Sequence, residues 1–336
     1  MARSLRYQDL GILGGEHTDT ITCLEFSPSG TYLAAGSLDG RLSIWSPKTG
    51  KLLYIVRGNV GILSLVWNPP RQNNLLCGLE DGLVVSISIG SDLLASGYSA
   101  HNLPVECITV SGTYVATGAY NEICLWNFQE NKPWTRFKCF SLPPTIGVNQ
   151  DKEIIVTSLH WRSPSILLVS YLHHGIALLE VPSLTIISFK PIQTLAGHTS
   201  LSPDCRYLAV SNLLTGCDIY DLAVGNPVAT LKGDANPHLR LPVLFVHRGY
   251  GLLAGSTTGE VRLWDANSGR LLHTLQHEGS ASDPLMKGHF SFQESRSRFV
   301  IATGIRRGIN DVPHVQLWQA LDICEAIFPY LLYLHA

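Results

Sequence analysis

From Leu33 to Trp45 the chain reads LAAGSLDGRLSIW. Small apolar residues lead to an Asp39-Gly40 step, and alternating apolar and polar positions then run up to the tryptophan. Alternation with a period of two marks half-buried strands, and Asp-Gly between two such runs marks a hairpin turn. The pattern returns near the other end of the chain. GSLDGRLSIWSPKTGKLLYIV (36–56) and GSTTGEVRLWDANSGRLLHTL (255–275) align without a gap, sharing Gly36/Gly255, Gly40/Gly259, Trp45/Trp264, Gly50/Gly269 and a Leu-Leu pair. Turn glycines and an aromatic recurring in one frame identify a repeated unit.

Weaker copies lie between these two. LLCGLEDGLVVSISI (75–89) keeps an Asp81-Gly82 turn with Ile87 at the aromatic position, and VATGAYNEICLW (115–126) reaches Trp126 through a turn one residue shorter. LLVSYLHHGIALLEV (167–181) is diverged, LAVSNLLTGCDIYDL (208–222) carries Tyr220, and IATGIRRGINDVPHVQLW (301–318) closes on Trp318 after an enlarged turn. Seven units result, at spacings of about 40 to 55 residues, within or slightly above the range of a propeller blade. Each reads as four antiparallel strands, the first unit as ITCLEF, TYLAAGS, RLSIWS and KLLYIV. No apolar stripe of period 3.6 appears, so helices are expected to be scarce. A four-stranded sheet has two faces to bury and cannot bury both alone, so the units must pack on one another around an axis.

In these residues the chain resembles the WD40-repeat family over nearly its whole length. The resemblance implies an all-β fold, a seven-bladed β-propeller of four-stranded antiparallel blades. In that family a His from the loop before a blade, a Ser or Thr on the second strand, an Asp in the turn and a Trp on the third strand form a hydrogen-bonded tetrad. Carried over, these roles fall to His17, Asp39 and Trp45 in blade one, where Ala35 replaces the hydroxyl residue. They fall to His101, Thr117 and Trp126 in blade three, and to His277, Thr303 and Trp318 in blade seven. Blade six keeps Trp264 but has Gly233-Asp234 where Gly-His would stand. After Trp318 no fourth strand follows, whereas YQDLGILGGEH, ahead of the first repeat, resembles one. Residues near Gln8 to Gly14 are therefore expected to close the ring, which removes an exposed sheet edge. The expected organisation is one propeller over 1–320, with 1–14 completing the last blade, and an apolar tail over 321–336.

With 336 residues, 45% hydrophobic and 15% charged, the chain has ample apolar material for a large core. A formal charge of -2 and a single adjacent basic pair, Arg306-Arg307, give no support for a nucleic-acid partner. None of the eight cysteines forms a CxxC pair, a pattern of buried free thiols in a reducing compartment. The N-terminal MARSLRYQDL lacks a secretory apolar region, and the tail is too short for a membrane span. A cytoplasmic location is expected, and a nuclear one is compatible with the same features.

The chemistry is sparse. No GxSxG, HExxH, Walker or GxGxxG motif occurs, and GILGG (11–15) reads as linker. Adjacent His173 and His174 would face opposite ways on a strand and have no partner at ligand spacing, so no metal or other cofactor is expected. The inner-strand segments ITCLEF, ILSLVW, VECITV, IIVTSLHW and PVLFV are mostly apolar, which argues against a catalytic funnel. The sole Trp-Asp, Trp264-Asp265, is followed by ANSGR rather than the WDxR box of cullin-ligase receptors in the family. In the WD40 arrangement the loops leading into each blade and the turns between second and third strands share one face, the top. SLPPTIGVNQDKE (141–153) and RRGINDVPH (306–314) are long there, and long loops on a rigid scaffold are where binding resides. Polar or aromatic residues on those loops, Asp19, Glu80, Tyr120, His173, Arg306, Arg307 and Asp311, are the candidate contacts for a protein or peptide partner. The expected function is a non-catalytic interaction scaffold, a monomeric propeller within a complex. The alternatives are a propeller enzyme with a funnel active site, or the propeller module of a larger subunit.

Overall fold

The computed structural model describes residues 5–69, 73–127, 135–140, 149, 151–192, 194–233, 239–256, 259–277, 289–295, 298–305 and 312–321, with the backbone alone at 137–140, 289–290, 295, 298 and 305. Over them, 28 strands form seven four-stranded sheets. Blades one to six each use four consecutive strands; their inner strands are Ile21–Phe26, Ile62–Trp67, Cys107–Ser111, Val156–Ser163, Ala196–Leu201 and Val243–Val246. The seventh blade is ordered Tyr7–Gly14, His314–Ala320, Arg298–Ile305, His289–Ser295, so the N-terminal strand closes the ring. Tyr7 pairs with Ala320 and Gly14 with His314, with one bulge between Asp9 and Gly11. The only helix among the described residues is the 3₁₀ turn His247–Gly249. The tail 322–336 lies outside the described residues.

Burial follows position within the blade. The second strand of blade one, Leu33–Ser37, is buried throughout, while its outer strand, Lys51–Arg57, is exposed or half-exposed. The Asp-Gly turn needs its glycine: Gly40 has φ 77°, and a Cβ there would come within 2.6 Å of the Gly58 carbonyl oxygen. A feature absent from the sequence pattern also recurs. The third-to-outer ladder is bulged at Ile44/Trp45, Leu125/Trp126, Leu178/Leu179, Ile219/Tyr220 and Leu263/Trp264. In five blades the bulge thus sits at the aromatic slot, where it bends the outer strand.

The apolar core is seven seams rather than one centre. Each buried cluster draws on two neighbouring blades: Leu42 and Ile44 with Trp67 and Leu75, Leu125 with Val156 and Leu167, Trp45 and Ile21 with Leu13 and Leu317. Polar side chains on the inner strands stitch the same seams. Backbone N–H groups of Phe26, Trp67, Thr199 and Phe245 each donate over 3.0 Å to a side chain of the preceding blade, to Ser291 Oγ, Glu25 Oε2, Ser158 Oγ and Ser200 Oγ respectively. Ser64 Oγ donates to the Val105 carbonyl in the seam between blades two and three.

The closing strand makes its own polar contact with blade six. Burial pushes the Tyr7 phenol well above its usual pKa, and its hydroxyl lies 2.6 Å from His247 Nε2. His247 and Arg248 both adopt left-handed φ, 51° and 55°, and the His247 ring packs on Phe292 and Phe299. Non-glycine residues reach that conformation only where the surroundings impose it. Burial also pulls His247 down to about 4.

Two outcomes follow from this closure. Deleting residues 1–14 removes the buried Leu5, Tyr7 and Leu13 from two seams. It should lower unfolding stability by at least about 5 kcal/mol, and a truncated chain with an unchanged denaturation midpoint would contradict the role of this strand. The second concerns acid. The unfolded His247 titrates near 6.5 while the folded one stays neutral to about 4. Below about pH 6.5 only the unfolded chain takes up that proton, so this contribution to stability is complete above 6.5 and falls as pH drops toward 4, by up to about 1.4 kcal/mol per unit. Measured by urea midpoints between pH 7 and 5, His247→Gln should lose less stability toward acid than wild type, the difference between the two chains giving this histidine's share.

Candidate functional site

The loops of the top face are held by side-chain networks at the blade junctions. In blade seven, His277 Nδ1 lies 2.9 Å from the Gly259 carbonyl, which only accepts, so Nδ1 carries the proton. Nε2 then accepts from the Thr303 hydroxyl at 2.8 Å, and Trp318 Nε1 donates to the same oxygen at 2.9 Å. The Gly259 carbonyl thus fixes the tautomer in this blade, and its turn at 306–311, which could carry an acid, lies outside the described residues. Blade three has the same chain: His101 Nε2 to Thr117 Oγ1 at 2.8 Å and Trp126 Nε1 to Thr117 Oγ1 at 2.9 Å. Its acid is Glu122, 3.0 Å from His101 Nδ1. The shorter turn at Asn121 brings the acid one residue later, a signal the sequence did carry. Burial lowers the His101 pKa, with Glu122 opposing.

Blade one solves the missing hydroxyl differently. Ser43, on the third strand directly opposite Ala35, places its Oγ 2.5 Å from His17 Nε2. Asp39 lies 3.7 Å from His17 Nδ1, and its carboxylate accepts the backbone N–H of Thr18 and of Arg41 at 2.6 and 2.9 Å. Burial pushes the Asp39 carboxyl up, and these amides outweigh it, leaving the pKa low. Trp45 stacks obliquely on His17, centroids 6.0 Å apart. Trp264 packs in the seam between blades five and six.

Backbone bonds join the loop leading into one blade to the second-to-third-strand turn of the blade before. Val105, Val156 and Ala196 N–H groups donate to the carbonyls of Leu79, Tyr120 and Leu172 at 3.0, 2.7 and 2.9 Å. On this frame Glu153 interacts with both Tyr120 and His173 near the junction of blades three and four. Tyr120 has φ 50°, and its hydroxyl bonds Glu153, which raises the phenol pKa. The His173 carbonyl accepts from the Asn149 side chain. Burial, then His174, Lys152 and more weakly Arg240, lower the His173 pKa. Asp19 and Glu80 sit on blades one and two, where they serve their own turns: Asp19 accepts the Thr20 N–H at 2.6 Å, and the Glu80 N–H donates to Gly61 at 2.9 Å. Arg306, Arg307 and Asp311 lie outside the described residues.

The channel wall is less apolar than the sequence suggested. A cavity of about 350 Å³ is lined by Thr22, Glu25, Thr109, Thr157, His160 and His198 among others. Apolar residues such as Leu63, Leu65 and Val66 share the lining with these polar groups. Burial pushes the Glu25 carboxyl up to about 8, against the Trp67 N–H it accepts, and pulls His160 down to about 4. Each group is engaged by a neighbouring blade: Glu25 with Trp67, His160 with Thr199, His198 with the Val243 N–H.

The cysteines correct one expectation. Cys23, Cys77, Cys107 and Cys217 are free and buried and Cys205 is free and half-buried, but Cys124 is disulfide-bonded. Residue 139 faces it across the antiparallel ladder, a separation a disulfide can span. His101, Glu122 and Cys124 have potential ligand atoms within 4.8 Å of one another. The sulfur is oxidised and lies 3.1 Å from Arg136 Nη2, while His101 and Glu122 satisfy each other, so the group belongs to the blade-three network.

These networks predict that the loss of one hydroxyl is costly. Thr117→Ala removes the hydroxyl that His101 Nε2 and the Trp126 N–H share. Stability should fall by about 2 kcal/mol in urea unfolding, with Thr117→Ser near wild type. Ser43→Ala should be costly in the same way, which would identify Ser43 as the blade-one hydroxyl.

Residues 9–46 match the family described as WD domain, G-beta repeat. Ribosome biogenesis protein BOP1 of Rattus norvegicus is 38% identical over 80 residues, 23% of this chain and 11% of that protein. A WD repeat-containing protein 26 homolog of Arabidopsis thaliana is 22% identical over 283 residues, 79% of this chain and 45% of that protein. WD repeat-containing protein 18 of Danio rerio is 29% identical over 147 residues, 37% of this chain and 34% of that protein. The chain thus spans less than half the length of each of these relatives. The seven four-stranded blades, the borrowed closing strand, the His–hydroxyl–Trp networks and the matched first repeat together support placing this chain with the WD40-repeat family.

Proposed function

We propose that the protein is a non-catalytic scaffold that holds a protein or peptide partner on its top face, as a single propeller within a complex. The contrast between two sets of polar groups supports this reading. Those of the channel wall bond the next blade, whereas Tyr120, Lys152, Glu153 and His173 stand exposed or half-exposed on loops pinned to a rigid ring. Arg306, Arg307 and Asp311 extend the contact surface on blade seven, residues 1–320 act as one unit, and the tail from 321 is available for docking within the complex. No acid–base pair in the channel is bonded as a catalytic couple among the described residues, which favours the scaffold over a funnel enzyme.

The stretch shared with ribosome biogenesis protein BOP1 favours ribosome assembly as the process, and so a nuclear site of action over a purely cytoplasmic one.

Affinity capture from cell extract separates the two faces. Wild type should retain a partner that Tyr120→Ala/His173→Ala loses by at least about tenfold. Lys48→Ala/Asn267→Ala, on the opposite face, should retain it. Loss in the second variant and not in the first would move the site to the turns between third and outer strands, where Lys48 and Asn267 lie.

A further inference from the structure

Two residues from nearly opposite sides of the ring meet above the channel. Glu106 immediately precedes the inner strand of blade three, and Arg240 lies just ahead of that of blade six. In a ring of seven sheets these blades stand three places apart one way and four the other. Arg240 Nη1 nevertheless donates to Glu106 Oε2 at 2.8 Å, and both residues line the channel. The ion pair therefore bars the mouth on the top face.

Its setting suggests an exchangeable contact rather than a structural one. The two side chains are 36% and 41% exposed, and an exposed ion pair contributes little net stability. Both blades are already fixed by their own seams. Lys152, Glu153 and Arg240 all act on His173, and Glu153 is itself bonded to the Tyr120 hydroxyl, so Glu106 is the carboxylate seated on Arg240. A guanidinium with a carboxylate already docked on it shows which group it accepts.

We propose that Glu106 is an internal stand-in for a partner's carboxylate, and that the channel mouth binds an acidic peptide segment of a protein partner whose Asp or Glu side chain replaces Glu106 on Arg240. This rests on the top-face reading above. It adds the chemistry of the partner and a built-in competitor that keeps weak acidic ligands out.

The test uses the full chain and fluorescence anisotropy at low salt, with labelled hexaglutamate as probe and hexalysine and oligouridylate as controls. Glu106→Gln should bind hexaglutamate about two- to fivefold tighter than wild type. Arg240→Ala, and the double variant, should lose it, with thermal midpoints near wild type showing that the ring is intact. No gain in Glu106→Gln, unchanged binding in Arg240→Ala, or a preference for hexalysine or oligouridylate would overturn the proposal. Capture from extract separates it from the broader reading. A partner lost by Tyr120→Ala/His173→Ala but indifferent to Glu106 and Arg240 would sink this inference and leave the top-face scaffold standing; a partner indifferent to all four residues would sink both.

Discussion

A four-stranded antiparallel blade with apolar residues on both faces has nowhere to put them except against another blade, and the rest of the molecule depends on that constraint. The core is consequently divided into seven seams, each shared by two neighbours. No blade owns its core, so none is stable in isolation, and an open row would leave two apolar faces bare. Closing the ring is the solution, and this chain does it by lending its first strand to its last blade.

Apolar seams alone would allow blades to slide, since hydrophobic burial is not directional. Direction comes from the polar stitches of the inner strands and from the histidine networks at the blade junctions. Their variety is informative. A serine from the facing strand, a glutamate one residue late, and a backbone carbonyl each bond a buried histidine ring at one of these junctions. What is preserved is satisfaction of a buried ring nitrogen rather than a residue type. Divergence of the repeats has therefore changed the donors and acceptors while leaving the junctions bonded.

That distinction explains what could be read in the sequence. Turn glycines such as Gly40 and tryptophans such as Trp45 and Trp264 declare themselves because conformation or size leaves few substitutes. From them came the blade number, the strand order and the borrowed strand. Ser43 was illegible because nothing in RLSIWS says which serine lies opposite Ala35 until the register is known. The polar lining of the channel was hidden within segments that look apolar on average, where one Glu or His in six residues carries no visible weight. The Glu106–Arg240 pair joins positions 134 residues apart, a link only the closed ring creates. The disulfide at Cys124 likewise depends on which residue the ladder sets across from it. Tyr120 and His173 were recognised as loop residues, but their shared neighbour Glu153 is set by the blade junction and not by their spacing.

The pairing of Tyr7 with Ala320 also fixes an order of events in time. A ribosome releases the first strand long before its partner exists, and at about 5 to 20 residues per second the wait is on the order of tens of seconds. Through that interval the nascent chain is an unfinished arc with an unpaired strand at one end and a bare sheet face at the other. It must avoid annealing with another chain while it waits. Selection on the first fourteen residues therefore acts twice, on the finished ring and on the safety of a segment that must remain uncommitted until the last blade has been made.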